Sequence, residues 1–363
     1  MLKKITVLFL VFLLVLPVSA DRKKYIDNSE RMAFAEIGSV QTNAKAVILI
    51  EAKSGRVLYS KNSDTKLPVA STTKIMTTLL TLESGNLDDP FIVDKDAIFV
   101  EGSTMGLCVG DVVTKRTLCY GMLLPSGNDA ANAAAIKIAG SYEAFAKMMN
   151  ERAEKIGMSH TEFISPSGLD DNAGASTYDM ALLTKEALRN SDFVSICSTP
   201  KALVNFGNPP YDRYLFNTNK LLEQYPDSVG VKTGFTDKAG RCLVSAATKN
   251  GVTLICVTLN DPDDWRDHGQ LYDTAFPYLE NVEIIEPENM YVPVVGMKVD
   301  ELPIYTKQKV TTGTFNGIAL ENVTYKLIIP PFIYPPKTEI QIGYLEYYIN
   351  GMLSDRVEVF VNS

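Results

Sequence analysis

The chain has 363 residues, 46% of them apolar and 21% charged, which fits one or two ordinary globular domains with a sizeable core and excludes a disordered or fibrous chain. Its 43 acidic side chains outnumber 35 basic ones, a net charge of −8, and no basic cluster follows the first residues, which argues against nucleic acid and against electrostatic attachment to anionic lipid. Two histidines and five cysteines without Cys-x-x-Cys spacing fit neither a catalytic metal centre nor a closed disulfide framework, so no cofactor and no metal are expected.

Residues 1–20 read as a secretory leader: Lys3 and Lys4, an apolar run from Ile5 to Leu16, then small residues at Val18 and Ala20 before cleavage ahead of Asp21. The apolar run is short for a membrane span, and no cysteine follows to carry a lipid. The mature protein is expected to be exported, at the outer face of the cytoplasmic membrane or in the cell wall.

Residues 46–51 and 57–60 flank Lys53 to Gly55 as a hairpin. Ser71-x-x-Lys74 follows, and Ile75, Met76, Leu79, Leu80 and Leu82 recur at helical spacing, so the motif opens a buried helix. Positions three apart share a helix face, which puts the Lys74 amine beside the Ser71 hydroxyl as base beside nucleophile. A lysine acts as a base near neutral pH only if burial and a second cation depress its pKa, and Lys232 is the candidate cation. Taken alone the motif reads more readily as an N-cap serine and a solvated helix lysine, and it is the three motifs in order that favour the catalytic reading.

Helices extend to about residue 189, with irregular stretches at 101–110 and 165–176. Ser126, Gly127 and Asn128 lie in the loop between an apolar helix ending before Pro125 and an alanine-rich helix, where a loop can aim Ser126 and Asn128 into a cleft. In isolation that tripeptide is a plain turn, with Asp129 capping the next helix. Lys232, Thr233 and Gly234 belong to a strand from Ser228, the first of three; Asn250–Gly251 is a type I′ hairpin signal between the second and third. The motif strand is expected at or near a sheet edge, where Gly234 lets a peptide pair with the backbone and Thr233 and Lys232 offer a hydroxyl and a charge to a carboxylate. Cys242 and Cys256 fall on the second and third strands, as packing thiols or as a facing pair. His160 lies in a loop and His268 in a charged helix beside Arg266, and neither neighbourhood points to a Ser-His-Asp triad.

Strands at both ends of this region with helices between them imply an α+β fold: one mixed sheet assembled from distant segments, an inserted helical subdomain, and a site at their junction. From Val282 onward the chain changes to short alternating runs punctuated by Pro330–Pro331, Pro335–Pro336 and Asn350–Gly351, a small all-β domain. The expected division is 1–20 leader, 21–281 catalytic domain and 282–363 C-terminal β domain.

The three motifs, together with residues 124–129, 163–169, 176–181 and 230–236, resemble the penicillin-binding D-alanyl-D-alanine carboxypeptidases, whose fold is β-lactamase/transpeptidase-like. The resemblance implies that Ser71 is the acyl-forming nucleophile, Lys74 its general base and Ser126 a proton relay. It makes Asn128 a holder of the substrate amide, Lys232 and Thr233 binders of the terminal carboxylate, and the Ser71 and Phe235 amides, beside Gly234, an oxyanion hole. Phe235 departs from the histidine common there in the family and alters the pocket wall. Arg266 matches a family position that helps bind the carboxylate, though from its own neighbours it reads equally as a helix-end ion-pair residue. The implied partners are a peptidoglycan stem peptide ending in D-Ala-D-Ala and β-lactams as inhibitors. The family's membrane-lying amphipathic helix after the β domain has no counterpart before Ser363, which counts against membrane attachment. The rival readings are a class A-like β-lactamase, a D,D-endopeptidase, and a non-catalytic wall-binding or penicillin-sensing module.

Overall fold

An uninterrupted apolar run needs cover on both faces, and residues 46–51 form such a strand, β1 (Ala46–Glu51), with all six side chains buried. The computed structural model describes residues 15–16, 28–170, 172–287, 289–315 and 322–362. Of the expected leader only Val15–Leu16 are among these, as a two-residue ladder on a strand edge near the C-terminus; the rest lies outside the described residues.

Around β1 the chain builds β2 (Val57–Lys61), β5 (Ser228–Thr236), β6 (Gly240–Lys249) and β7 (Val252–Leu259) into one sheet of order β2-β1-β7-β6-β5. Every pairing in it is antiparallel, which corrects the expectation of a mixed sheet. Its strands follow one another through hairpins, and β1 meets β7 head to tail, so no parallel crossover arises. The sheet is assembled from distant segments, as the sequence implies.

One face carries Ile48, Ile50, Val244, Ala246, Ile255 and Val257 into the helical subdomain. At its centre is α2 (Lys74–Glu83), buried from Lys74 to Leu82 and packed against α3 (Lys115–Leu123), α4 (Asn128–Ala139), α5 (Tyr142–Ile156), α6 (Thr177–Ala187) and α7 (Ser191–Cys197). The other face, with Val47, Leu49, Leu254 and Cys256, is covered by α1 (Asn28–Ser39) and α8 (Asp264–Ala275). A hairpin that the sequence reading does not assign, β3 (Lys201–Gly207) and β4 (Pro210–Phe216), leads from α7 toward β5; the prolines at its tip mask the alternation on either side. Cys242 pairs with Leu259 and Cys256 with Ser245, so the two thiols do not face each other and serve as packing groups on opposite faces.

Beyond α8, β8 (Leu279–Glu283) pairs with β11 (Thr311–Phe315), and β9 (Tyr291–Pro293), β10 (Glu301–Thr306), β12 (Val323–Ile328), β13 (Ile340–Ile349) and β14 (Met352–Val361) form an all-β sheet of order β12-β13-β14-β10-β9. It has its own core around Ile304, Leu345, Tyr347, Val357 and Val359. The expected division at 281/282 falls inside β8, because that strand leaves the first body and starts the second without a linker.

Glu51, the last residue of β1, ties the two bodies together. Its carboxylate, 1% exposed, accepts hydrogen bonds from the Ser54 amide (2.6 Å) and hydroxyl (2.5 Å), the Thr312 hydroxyl (3.1 Å) and the Gly313 amide (3.3 Å). Removing a buried acceptor strands its donors, at about 1–3 kcal/mol. Glu51→Ala is therefore expected to lower the thermal midpoint by several degrees in calorimetry, while an unchanged midpoint would show that these bonds contribute nothing net.

Candidate active site

Three segments meet where the helical subdomain abuts β5. Ser71 lies in a 3₁₀ turn (Ala70–Thr73) that runs straight into α2, so the serine sits three residues ahead of Lys74, the first residue of the helix, rather than at its N-cap. Ala70, immediately before it, holds φ at 48°, and Ser126 holds φ at 66°; a non-glycine residue in this region is strained and persists only where its surroundings over-determine it. Ser126 and Ser71, the residue that follows Ala70, line one cleft of about 640 Å³ together with Asn128, Thr233 and Phe235.

Lys74 organises the centre. Fully buried, its ammonium donates to Ser71 Oγ at 2.8 Å, Asn128 Oδ1 at 2.6 Å and the Ser167 carbonyl at 2.8 Å. Burial first, then the charge of Lys232, push its pKa well below that of a free lysine, against an opposing pull from Asp129. Once one proton leaves, Asn128 and Ser167 can keep the remaining two, which directs the lone pair at the Ser71 hydroxyl. Lys232, also fully buried, donates to the Thr233 carbonyl at 2.8 Å, and burial lowers its pKa to about 7.

β5 is the edge strand, as expected for the Lys232 motif. A Cβ on Gly234 would stand 3.0 Å from the Val69 carbonyl and 3.2 Å from the Ser71 amide, so glycine is what lets this strand close on the Ser71 turn. Asn128 opens α4, its amide bonded to the Ser103 carbonyl (2.7 Å) and its Nδ2 to the Glu101 carbonyl (2.7 Å). Asp129 does not cap α4. It accepts the amides of Met105 (2.9 Å), Gly106 (3.1 Å) and Leu107 (3.0 Å), fixing the irregular 101–110 stretch whose Gly102 and Ser103 line the cleft.

Arg266 is not brought to the cleft. It donates to Asp267 (2.8 Å) and approaches Asp263 (3.2 Å), bordering a separate groove with Gln41 and Asn43. The cleft instead holds Arg241, Asp264, Trp265, Thr218, Lys220 and Leu169, which the sequence reading does not single out. Thr218 Oγ1 is 2.7 Å from Thr233 Oγ1. The two histidines stand apart from Ser71: His160 is an exposed loop residue beside Ser159, and His268 is buried against α8's face of the sheet between Ser245 (2.6 Å) and Thr258 (3.0 Å), its pKa lowered by burial to about 3. A neutral histidine there is a structural bond-maker.

The Ser71 turn thus lies under a sheet edge, with the inserted helical subdomain packed beside it. Residues 32–263 match the family described as D-alanyl-D-alanine carboxypeptidase. The chain is 35% identical over 292 residues to the D-alanyl-D-alanine carboxypeptidase DacF of Bacillus subtilis, covering 77% of this chain and 75% of that one. It is 32% identical over 348 residues to DacC of Escherichia coli, covering 88% and 84%. The crystal structure of the Streptomyces K15 DD-transpeptidase superposes with a TM-score of 0.62 at 32% identity, over 65% of this chain and 98% of that one. The chain belongs to the D-alanyl-D-alanine carboxypeptidase family and is a serine-type carboxypeptidase of that kind.

Because Lys232 disfavours the Lys74 ammonium, Lys232→Gln is expected to move the Lys74 titration to higher pH, followed through its ¹³Cε resonance. A titration that stays in place would mean that burial alone sets the pKa.

Proposed function

We propose that Ser71, Lys74 and Ser126 carry out the acyl transfer on a peptidoglycan stem peptide ending in D-Ala-D-Ala. The observation that carries this reading is the buried Lys74 amine held 2.8 Å from Ser71 Oγ by two further acceptors. Ser71 Oγ attacks the carbonyl of the penultimate D-alanine while its proton passes to neutral Lys74. The oxyanion is received by the backbone amides of Ser71 and Phe235. As the C–N bond breaks, the proton reaches the departing amine by way of Ser126, and D-alanine leaves. Water then attacks the Ser71 ester as Lys74 takes its proton; the acyl C–Oγ bond breaks, Lys74 returns the proton to Ser71 Oγ, and the shortened peptide leaves as its carboxylic acid.

Asn128 holds the substrate amide, and Lys232 and Thr233 supply charge and hydroxyl to the terminal carboxylate, with Gly234 leaving the strand edge free for pairing. Phe235, 64% exposed, forms an apolar lip of the cleft. β-Lactams, as acylating mimics of the D-Ala-D-Ala end, form a long-lived ester on Ser71. The enzyme works outside the cytoplasmic membrane, with residues 21–281 as its catalytic unit and 282–363 as an accessory β module. No helix among the described residues is long and apolar enough to cross a membrane.

Purified protein incubated with diacetyl-Lys-D-Ala-D-Ala is expected to release D-alanine. Ser71→Ala should abolish release, and Lys74→Ala should lower kcat about 10²- to 10⁴-fold, the range for loss of a positioned base. Undiminished release by Ser71→Ala would refute the assignment, and rapid turnover of penicillin in place of stable labelling would favour the β-lactamase reading.

A further inference from the structure

An antiparallel hairpin with one face buried ordinarily turns polar side chains outward, and β3–β4 departs from that rule. Its register sets Lys201 across from Phe216, Leu203 across from Tyr214 and Asn205 across from Asp212. These six side chains share one exposed face, since the alternate positions Val204, Phe206 and Leu215 are buried in the core. On that face Leu203, Tyr214 and Phe216 stand 54%, 58% and 59% exposed, an apolar patch with Lys201 at one end and the Asn205–Asp212 pair at the other. Apolar surface gathered in this way marks a place of contact.

The hairpin is fastened to the walls of the Ser71 cleft. Arg213 Nη1 donates to the Gly106 carbonyl at 2.5 Å, which ties β4 to the 101–110 stretch that gives Gly102 and Ser103 to the cleft. Directly after Phe216, Asn217 Nδ2 donates to the Cys197 and Thr199 carbonyls (both 3.1 Å), and Thr218, itself a lining residue, meets Thr233 at 2.7 Å. The patch thus runs on from the site read above as holding the stem peptide, and the far end of a stem peptide is joined to a glycan. The side chains suit such a strand. The Tyr214 and Phe216 rings have centroids 6.4 Å apart, and the Lys201 ammonium, on an exposed and flexible arm, reaches over them at 3.7 Å and 5.1 Å. Asn205 Nδ2 donates to Asp212 Oδ1 at 2.6 Å, an amide–carboxylate pair with further donors and acceptors to offer. From the first of these cross-strand pairs to the third, the face runs about 14 Å, room for a disaccharide. A pyranose ring lays its C–H faces against the electron-rich face of an aromatic ring and presents hydroxyl and acetamido groups around its rim. A lipid surface would instead have to take the Asp212 carboxylate out of water.

We propose that the outward face of β3–β4 docks the glycan strand of the substrate polymer, with Tyr214 and Phe216 as stacking platforms for N-acetylated sugar rings and Lys201, Asn205 and Asp212 bonding their rims. The inference rests on the acyl-transfer reading above and extends it to the part of the substrate beyond the stem peptide. The enzyme then favours pentapeptides still joined to glycan over the same peptides set free, because the sugar is held where its peptide reaches Ser71.

Two measurements test this on the wild type and on a Tyr214→Ala, Phe216→Ala double variant. In the first, glycan strands stripped of peptide by an amidase are titrated into each protein carrying Ser71→Ala, and Kd is read by calorimetry. The double variant should bind about 10- to 100-fold more weakly, the loss expected for two ring faces, and Tyr214→Trp, which keeps a face, should stay within about threefold of wild type. In the second, with Ser71 in place, kcat/KM should fall by a similar factor on glycan-linked pentapeptide and by less than about twofold on diacetyl-Lys-D-Ala-D-Ala. If the double variant does not fold, as read from its thermal melt, Tyr214→Gln alone decides the matter with a loss of about threefold or more on the glycan. Equal glycan binding by wild type and variant, or equal losses on both substrates, would overturn the proposal. So would a wild-type dimer that the variant loses in sedimentation, or binding to anionic lipid vesicles in place of glycan. Release of D-alanine that persists in Ser71→Ala would instead overturn the acyl-transfer reading, while the stripped strands report on the hairpin by itself.

Discussion

The rest of this structure is arranged around a lysine that has been taken out of water. Lys74 has no exposed surface, and an ammonium in that position must be hydrogen-bonded on every proton or be neutral. Its three acceptors come from three separate parts of the chain: the turn before α2, the start of α4, and the 163–169 loop. Each of those segments is in turn fixed from behind. Thr77 Oγ1 holds the Pro166 carbonyl at 2.6 Å, and Asp129 holds the loop that covers Asn128. The same enclosure that satisfies the ammonium lowers the cost of losing its proton, which is the property a base needs near neutral pH.

The sheet contributes by sorting side chains rather than by supplying a nucleophile. Because β5 is an edge strand, its outer backbone is free for an extended substrate. Pleating turns Lys232 and Gly234 toward the Ser71 turn and Thr233 and Phe235 toward α8. One strand therefore serves the electrostatics of Lys74 on one side and the rim of the cleft on the other. His268, neutral between Ser245 and Thr258, helps keep α8 seated on the sheet, and with it Asp264 and Trp265 at the cleft.

The all-β body meets this assembly at Glu51, on the end of β1, and through β8, which pairs with β11 directly after α8. Its contact is with the side of the sheet remote from the cleft edge, since β2 and β1 stand at the opposite end of the strand order from β5. Its influence on the chemistry is accordingly one of support.

Sequence alone brought forward Ser71, Lys74 and the Lys232–Gly234 strand as candidates, because each is a side-chain chemistry at a spacing that a helix turn or a strand enforces locally. It also carried the α+β class and the separate β tail, since periodicities of 3.6 and 2 are local properties of the chain. Three things were decided only in three dimensions. The Ser167 carbonyl that completes the Lys74 shell has no side-chain signature, and nothing in residues 163–169 announces it. The all-antiparallel pairing follows from which strands meet, and β1 and β7 are some two hundred residues apart in the chain. The surroundings of the two arginines were settled the same way: the packing of α8 puts Arg266 beside Asp263 and Asp267, while the strand register sets Arg241 across from Phe235 in the lining of the cleft. Local patterns name the reactive groups; which of them share a cavity depends on long-range packing that no local pattern encodes.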